Sequence, residues 1–226
     1  MGLKESGLRG SLRNVSTGVI AIPDSVVDNF ESILYEDQNL TLSDYYSGDL
    51  SVFERQGQTV FNGDFALEIE GQNPGNDGSF GIFSTTGLPR YPEAGEKFNV
   101  RLRLEFSENS ETRFTFGVQD SSNLYNVDIR SSDNRFRVFV TDGGSTTILD
   151  ESTAGTISDS VWYTCEVDWA VSGTTTLTLF DESMSQVDQI SFNDSTFTSG
   201  GIGWRTFQRV GETGSGFVDD FIIIDE

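Results

Sequence analysis

Apolar and polar residues alternate along most of the chain from residue 24 onward. In the clearest run, Phe98, Val100, Leu102, Leu104 and Phe106 are separated by Asn99, Arg101, Arg103 and Glu105. Period two without a fault predicts a strand with one face on a core and one face in water. Phe114-Thr115-Phe116-Gly117-Val118 repeats the pattern, and Tyr125, Val127 and Ile129 alternate with Asn126, Asp128 and Arg130. Phe136, Val138 and Val140 follow a four-residue hairpin loop at 131–134. Further on, Tyr163, Cys165, Val167 and Trp169 face one way and Trp162, Thr164, Glu166 and Asp168 the other. Residues 174–180 and 186–192 and a run starting at Gly200 read as later strands. Shorter strands are expected at 40–42, 50–53, 66–69 and 80–83. Asp142-Gly143-Gly144-Ser145 and the Gly/Asn-rich stretch 72–78 mark turns. No 3.6-residue period holds over a useful length. Roughly a dozen short strands with closely spaced turn signals predict an all-β, two-sheet antiparallel sandwich of the jelly-roll kind.

The end of the chain carries its densest apolar run: Phe217, Val218, Phe221, Ile222, Ile223 and Ile224 around Asp219 and Asp220. A β-branched run of this kind predicts a strand buried on both faces, hence a central one. Val26-Val27-Asp28-Asn29-Phe30 has a similar make-up, so the first and last strands are expected to lie side by side.

Charge changes the picture most. There are 36 Asp and Glu against 14 Lys and Arg, a net −22, and only Lys4 and Lys97 are lysine, the other 12 being arginine. At molar salt the Debye length is roughly 3 Å, so the self-repulsion of such a chain is screened. Acidic, lysine-poor composition therefore points to a high-salt, haloarchaeal setting. It also argues against nucleic acid or an anionic membrane as a direct partner. The chain has no histidine, which excludes Ser-His-Asp and Cys-His catalysis and imidazole-ligated zinc. Cys165 sits in an alternating strand pattern and reads as a small buried apolar residue. No apolar stretch approaches the roughly 20 residues of a membrane-spanning helix. Residues 1–23 lack the apolar core of a signal peptide, the expectation for a protein that stays in the cell or leaves within an assembled particle.

Those residues differ from the rest. Lys4, Arg9 and Arg13 against Glu5 make a short basic stretch on an acidic body, with Leu3, Leu8 and Leu12 as apolar anchors. We expect two regions: an N-terminal docking segment, 1–23, and a sandwich, 24–226. Leu3, Leu8, Arg9, Leu12 and Arg13 are the expected docking residues.

Three stretches resemble the concanavalin A-like lectin/glucanase superfamily in its laminin-G-like branch. They are Trp162-Tyr163-Thr164-Cys165-Glu166-Val167-Asp168-Trp169 with the strand 176–181, then Gly201-Ile202-Gly203-Trp204, then Gly216-Phe217-Val218-Asp219-Asp220-Phe221. The resemblance spans roughly 24–226 and implies two packed antiparallel sheets, one of them concave. It also implies exposed aromatic and polar side chains suited to sugar rings. Trp162, Trp204, Tyr125 and Arg205 are the expected carbohydrate-binding residues, with core packing the alternative for the tryptophans. Many relatives hold Ca²⁺ through carboxylate and backbone oxygens, so Asp28, Asp219 and Asp220 are candidate ligands if the terminal strands pair. The superfamily's glucanases carry Glu-x-Asp-x-x-Glu on one strand. Here Glu166-Val167-Asp168 begins that motif, but Val171 stands in place of the second glutamate, so catalysis is not expected.

The segment 3–15 resembles the opening of proteins encoded beside virion genes in haloarchaeal tailed viruses and proviruses. It implies a non-enzymatic, oligomeric protein on the virion surface, at head or tail, docked on other virion proteins by its N-terminus and binding host-surface glycans. The alternatives are a glycan-degrading hydrolase of the same fold, or a decoration module without a ligand.

Overall fold

The computed structural model describes residues 26–28, 30, 42–69, 78–105, 111–130, 132–208 and 215–224. The expected docking residues Leu3, Leu8, Arg9, Leu12 and Arg13, and with them the segment 1–23, lie outside the described residues. In chain order the described strands are β1 (Val26–Asp28), β2 (Ser47–Gly48), β3 (Phe53–Gln56), β4 (Ala66–Ile69), β5 (Gly78–Ser84), β6 (Lys97–Glu105), β7 (Glu111–Asp120) and β8 (Asn123–Arg130). They continue with β9 (Arg135–Asp142), β10 (Ser145–Glu151), β11 (Trp162–Asp168), β12 (Thr175–Phe180), β13 (Gln186–Phe192), β14 (Gly201–Gln208) and β15 (Ser215–Ile224).

The strands form two antiparallel sheets packed as a sandwich. The first runs β13-β12-β11-β6-β15-β4-β3, with β1 also paired to β15; the second runs β10-β9-β8-β7-β14-β5-β2. The alternating run on β6 behaves as its pattern dictates: Phe98, Val100, Leu102 and Leu104 are buried and the residues between them are half-exposed. Between the sheets the core is largely aromatic. Phe98 stacks on Phe221 at 5.0 Å, Phe116 meets Trp169 edge-on at 4.9 Å, and Trp204 packs against Phe30 at 5.5 Å.

The chain's last strand is central, as its composition predicts. β15 pairs with β6 along its length, with β4 at its start and with β1 at its end, where Val26 faces Ile222 and Asp28 faces Phe221. The register shifts between Asp219 and Ile222, and Asp220 takes a φ of +46°. This β-bulge lets the strand change partners midway.

Three local expectations are corrected. Residues 42–45 form a helical turn, α1 (Leu42–Tyr45), where the end of a short strand was expected. Leu50–Val52 is a 3-10 turn instead of a strand, because the Asp49 carboxylate caps it, accepting from the Ser51 N–H at 3.0 Å and the Ser51 hydroxyl at 2.6 Å. β10 was not expected at all. It is an edge strand whose side chains are mostly exposed, so no burial pattern marks it.

Asp219 is an acid held inside the fold. Its carboxylate accepts backbone N–H groups from Phe61 at 3.0 Å, Asn62 at 3.2 Å and Asp220 at 2.8 Å. Burial and the neighbouring Asp220 nonetheless push its pKa up to about 8. An acid whose folded pKa lies above its unfolded value stabilises the fold fully below the unfolded value near 4. That contribution is lost as pH rises to about 8. The melting temperature is therefore expected to decline across this window, and Asp219→Asn to make the decline shallower. An unchanged slope in the variant would show that other groups set it.

Candidate functional site

The second sheet carries the site on the face turned away from the core. On β14, Ile202 and Trp204 point inward, so Gly201, Gly203 and Arg205 lie on the outward face. Two of those three positions have no side chain, which leaves the strand bare. The Phe83 ring of β5 occupies that space. A Cβ on Gly203 would fall 2.6 Å from Phe83 Cδ1 and 2.8 Å from Thr115 Oγ1. A Cβ on Gly81 would fall 2.9 Å from Phe83 Cζ and 3.0 Å from Arg205 Cγ. The ring thus rests across two glycine backbones and remains half-exposed.

Beside it opens a cavity of about 500 Å³ whose lining includes Asp49, Gly81, Phe83, Gln119, Asp120 and Arg205. Gln119 reaches it because Gly117, with φ +62°, opens a bulge between Phe116 and Asp120 that breaks the alternation of β7. Gln119 Nε2 is tied to the Ser199 carbonyl at 2.6 Å, leaving its amide oxygen for other partners. Arg205 donates to Asn126 Oδ1 at 3.1 Å and to Ser79 Oγ at 3.1 Å, and its guanidinium carbon lies 5.9 Å from the centre of the Phe83 ring. Burial, with Arg113 nearby, pulls the Arg205 pKa down to about 10, so the group remains a cation at neutral pH. The two aspartates at the rim are committed to turns. Asp49 is held below the usual carboxylate range by Ser51, and Asp120 by the Asn123 amide and the Ser122 N–H.

Further along the same face, Glu111, Arg113, Asp128 and Arg137 form a buried charge network. Arg137 grips Asp128 through two bonds, Nε to Oδ1 at 3.0 Å and Nη2 to Oδ2 at 2.6 Å, and reaches Glu111 at 3.3 Å. Arg113 pairs with Glu111 and lies 3.4 Å from Asp128. Burial pushes the Asp128 carboxyl up, against the pull of both guanidiniums. The network is internally balanced and orders the sheet next to the cavity.

The residues expected to bind sugar are not brought together. Trp204 and Tyr125 are buried between the sheets, Tyr125 with its hydroxyl on Asp194, so neither offers a ring face to a ligand. Trp162 does face away from the main core, but on the other sheet, where Ala66, Phe217 and the ring of Phe61 cover it. Of the four, only Arg205 lines the cavity. Of the expected metal ligands, Asp219 and Asp220 are neighbours on β15, and Asp28 on β1 pairs with Phe221. Asp28 accepts from the Phe30 N–H at 2.9 Å and the Tyr46 hydroxyl at 2.6 Å, while Asp219 is filled by the three backbone donors above. Among the described residues no group of three or more His, Cys, Asp or Glu side chains is placed to hold a metal ion. Cys165 is buried, and burial pushes its thiol up, as its strand position predicts. Phe83 was the residue missed. Its signal was the glycine spacing at 81, 201 and 203 beside an aromatic.

No family model matches the chain, and no curated protein matches it by sequence. Solved structures do match in fold. A carbohydrate-binding module, CBM66 from Bacillus subtilis, aligns with a TM-score of 0.57 at 12% identity, over 80% of this chain and 95% of that one. The exoplasmic/lumenal domain of VIP36, solved with Ca²⁺ and Man3GlcNAc, aligns with a TM-score of 0.53 at 10% identity, over 79% of this chain and 85% of that one. An endo-β-1,4-glucuronan lyase from the fungus Trichoderma reesei aligns with a TM-score of 0.50 at 13% identity, over 82% and 92%. At these identities the likeness is one of fold alone, the two-sheet antiparallel β-sandwich.

Proposed function

We propose that the protein is a non-catalytic carbohydrate-binding module whose glycan lies on the outward face of β2, β5, β14 and β7. The observation that carries this is the Phe83 ring, lying across Gly81 and Gly203 at the edge of an open cavity with Arg205 and Gln119. A half-exposed ring flanked by fixed hydrogen-bonding groups suits a sugar, which presents an apolar face and a polar rim. The carbohydrate-binding module and the glycan-bound lumenal domain among the similar folds support the same reading.

Hydrolysis is disfavoured by the state of the cavity's acids. A glycosidase needs one carboxyl held protonated as general acid. Asp49 and Asp120 are both pushed the other way, toward the ionised form. Asp168, from the broken glucanase motif, is exposed and pairs with Lys97 at 3.5 Å.

The proposal extends to where the module works. A net charge of −22 with arginine in place of lysine suits molar salt. The N-terminal segment resembles those of haloarchaeal virus structural proteins. We place the module on the surface of such a particle, docked through Leu3, Leu8, Arg9, Leu12 and Arg13 and presenting the cavity to host glycans. Multiple copies would add avidity to each weak contact.

A glycan array probed in molar NaCl tests the binding reading, followed by titration of the best hit. Phe83→Ala is expected to weaken that hit about tenfold or more by removing the stacking surface, with the melting temperature nearly unchanged because the ring is half-exposed. A blank array would favour a decoration module, and an unaffected Phe83→Ala variant would move the site elsewhere.

A further inference from the structure

Arg205 stands out against the charge balance of the chain. Acidic residues outnumber basic ones by 36 to 14, so a cation here has carboxylates in excess. Other arginines use them: Arg90 pairs with Glu96, Arg103 with Glu105, Arg130 with Asp133, Arg135 with Asp133 and Glu151, and Arg113 and Arg137 with Glu111 and Asp128. Arg205 has no carboxylate partner among the described residues. Its bonds go to two neutral oxygens, Asn126 Oδ1 and Ser79 Oγ, which aim the guanidinium without neutralising it. Its Nε is buried without an acceptor, and the charge that acts on it is another cation, Arg113. The rim aspartates do not serve as counter-ions, being bonded within their own turns.

A partly desolvated, oriented cation with no counter-ion is costly unless a ligand supplies the charge. We infer that the glycan taken by this cavity carries an acidic group, a carboxylate or a sulfate, seated on Arg205 while its ring lies on Phe83. The inference rests on the carbohydrate reading above and adds the substrate class. Guanidinium is suited to it, since arginine makes paired, charge-assisted bonds to oxyanions. The protein's own net charge repels an acidic polymer at a distance. At molar salt that repulsion reaches only roughly 3 Å, so the contact at Arg205 decides.

The test uses the full chain in 1 M NaCl and two pairs of polymers: polygalacturonate against its carboxyl-reduced form, and dextran sulfate against dextran. Isothermal titration should show the acidic member of at least one pair binding about tenfold to a hundredfold more tightly than its neutral partner. The pair that shows it tells carboxylate from sulfate. Arg205→Gln should erase that preference, and Arg205→Lys should retain part of it. If both neutral members bind as tightly as the acidic ones, the acidic inference is overturned while carbohydrate binding stands. If all four polymers fail while the glycan array shows neutral hits, the inference is again overturned alone. If the array is blank as well, the carbohydrate reading falls with it. The comparison of polymers uses the unaltered protein, so it decides even if an Arg205 variant folds poorly.

Discussion

Removing the last six residues, 221–226, is expected to leave a chain that does not fold. Phe221 is fully buried between the sheets, stacked on Phe98 at 5.0 Å and edge-on to Phe114 at 6.2 Å and Trp204 at 6.1 Å. Ile223 is 1% exposed. Loss of a buried phenylalanine alone costs about 3–5 kcal/mol, and a buried isoleucine about 2–5. The deletion also removes the ladder in which Ile222, Ile223 and Ile224 face Asn99, Phe98 and Lys97, and it removes the residues of β15 that pair with β1. The sum is comparable to the whole stability of a typical domain, about 5–15 kcal/mol. Circular dichroism and a thermal melt of the truncated chain check this. A cooperative melt would mean that β6 and β4 close the sheet without β15's second half. Phe221→Ala is the graded version, expected to destabilise by about 3–5 kcal/mol while still folding.

The centrality of β15 was legible because burial on both faces leaves an unbroken apolar run, and few other local patterns in this chain look like it. β6 and β11 were legible for the complementary reason: strict alternation, with the structure keeping Phe98 and Tyr163 on the core face, although on β11 the outward Trp162 and Thr164 are buried too. What sequence could not supply was the identity of whatever covers each outward face. Trp162 was read with the correct parity, opposite to Tyr163 and Cys165. Its burial comes from Phe61 and Ala66, about a hundred residues earlier. Trp204 and Tyr125 were expected on the glycan face from the resemblance, with core packing the alternative for Trp204, and both lie in the core. Their own alternation with Gly203 and Asn126 already placed them in the core. Phe83 was hidden because β5 carries phenylalanines at 80 and 83, an odd spacing that puts aromatics on both faces. Only the pairing of Gly203 with Phe83 across strands shows which of them has a bare surface to lie on. Arg205 was found, but its meaning was not. An arginine's lack of a carboxylate is a fact of three-dimensional neighbours, invisible in a chain so rich in Asp and Glu.

The same excess of acid makes stability depend on salt. The basic residues of the described fold are largely committed: Arg90, Lys97, Arg103, Arg113, Arg130, Arg135 and Arg137 all pair with carboxylates. Pairing cannot remove the surplus, which is 22 negative charges however the pairs are drawn. Two unscreened carboxylates 10 Å apart in water repel by about 0.4 kcal/mol. One Debye length at 0.1 M is also about 10 Å, so roughly a third of that survives; at 1 M, with a Debye length of about 3 Å, only a few per cent does. Summed over tens of neighbouring pairs, the difference amounts to several kcal/mol. Unfolding relieves it by spreading the charges apart. For a domain of this size each kcal/mol moves the melting temperature by roughly 2–4 °C. Dilution from 1 M to 0.1 M NaCl should therefore lower the melting temperature by on the order of 10 °C, with a steeper fall below 0.1 M as the Debye length grows. Edge strands β10 and β13, whose side chains are mostly exposed, meet where Asp150 accepts the Ser191 N–H at 2.8 Å, and that junction is where loosening should begin. Hydrogen exchange at low salt should show those strands losing protection before β6 and β15. A melting temperature flat from 1 M to 10 mM would mean that the carboxylates are spaced too widely to repel, and the high-salt setting inferred from composition would lose its physical basis.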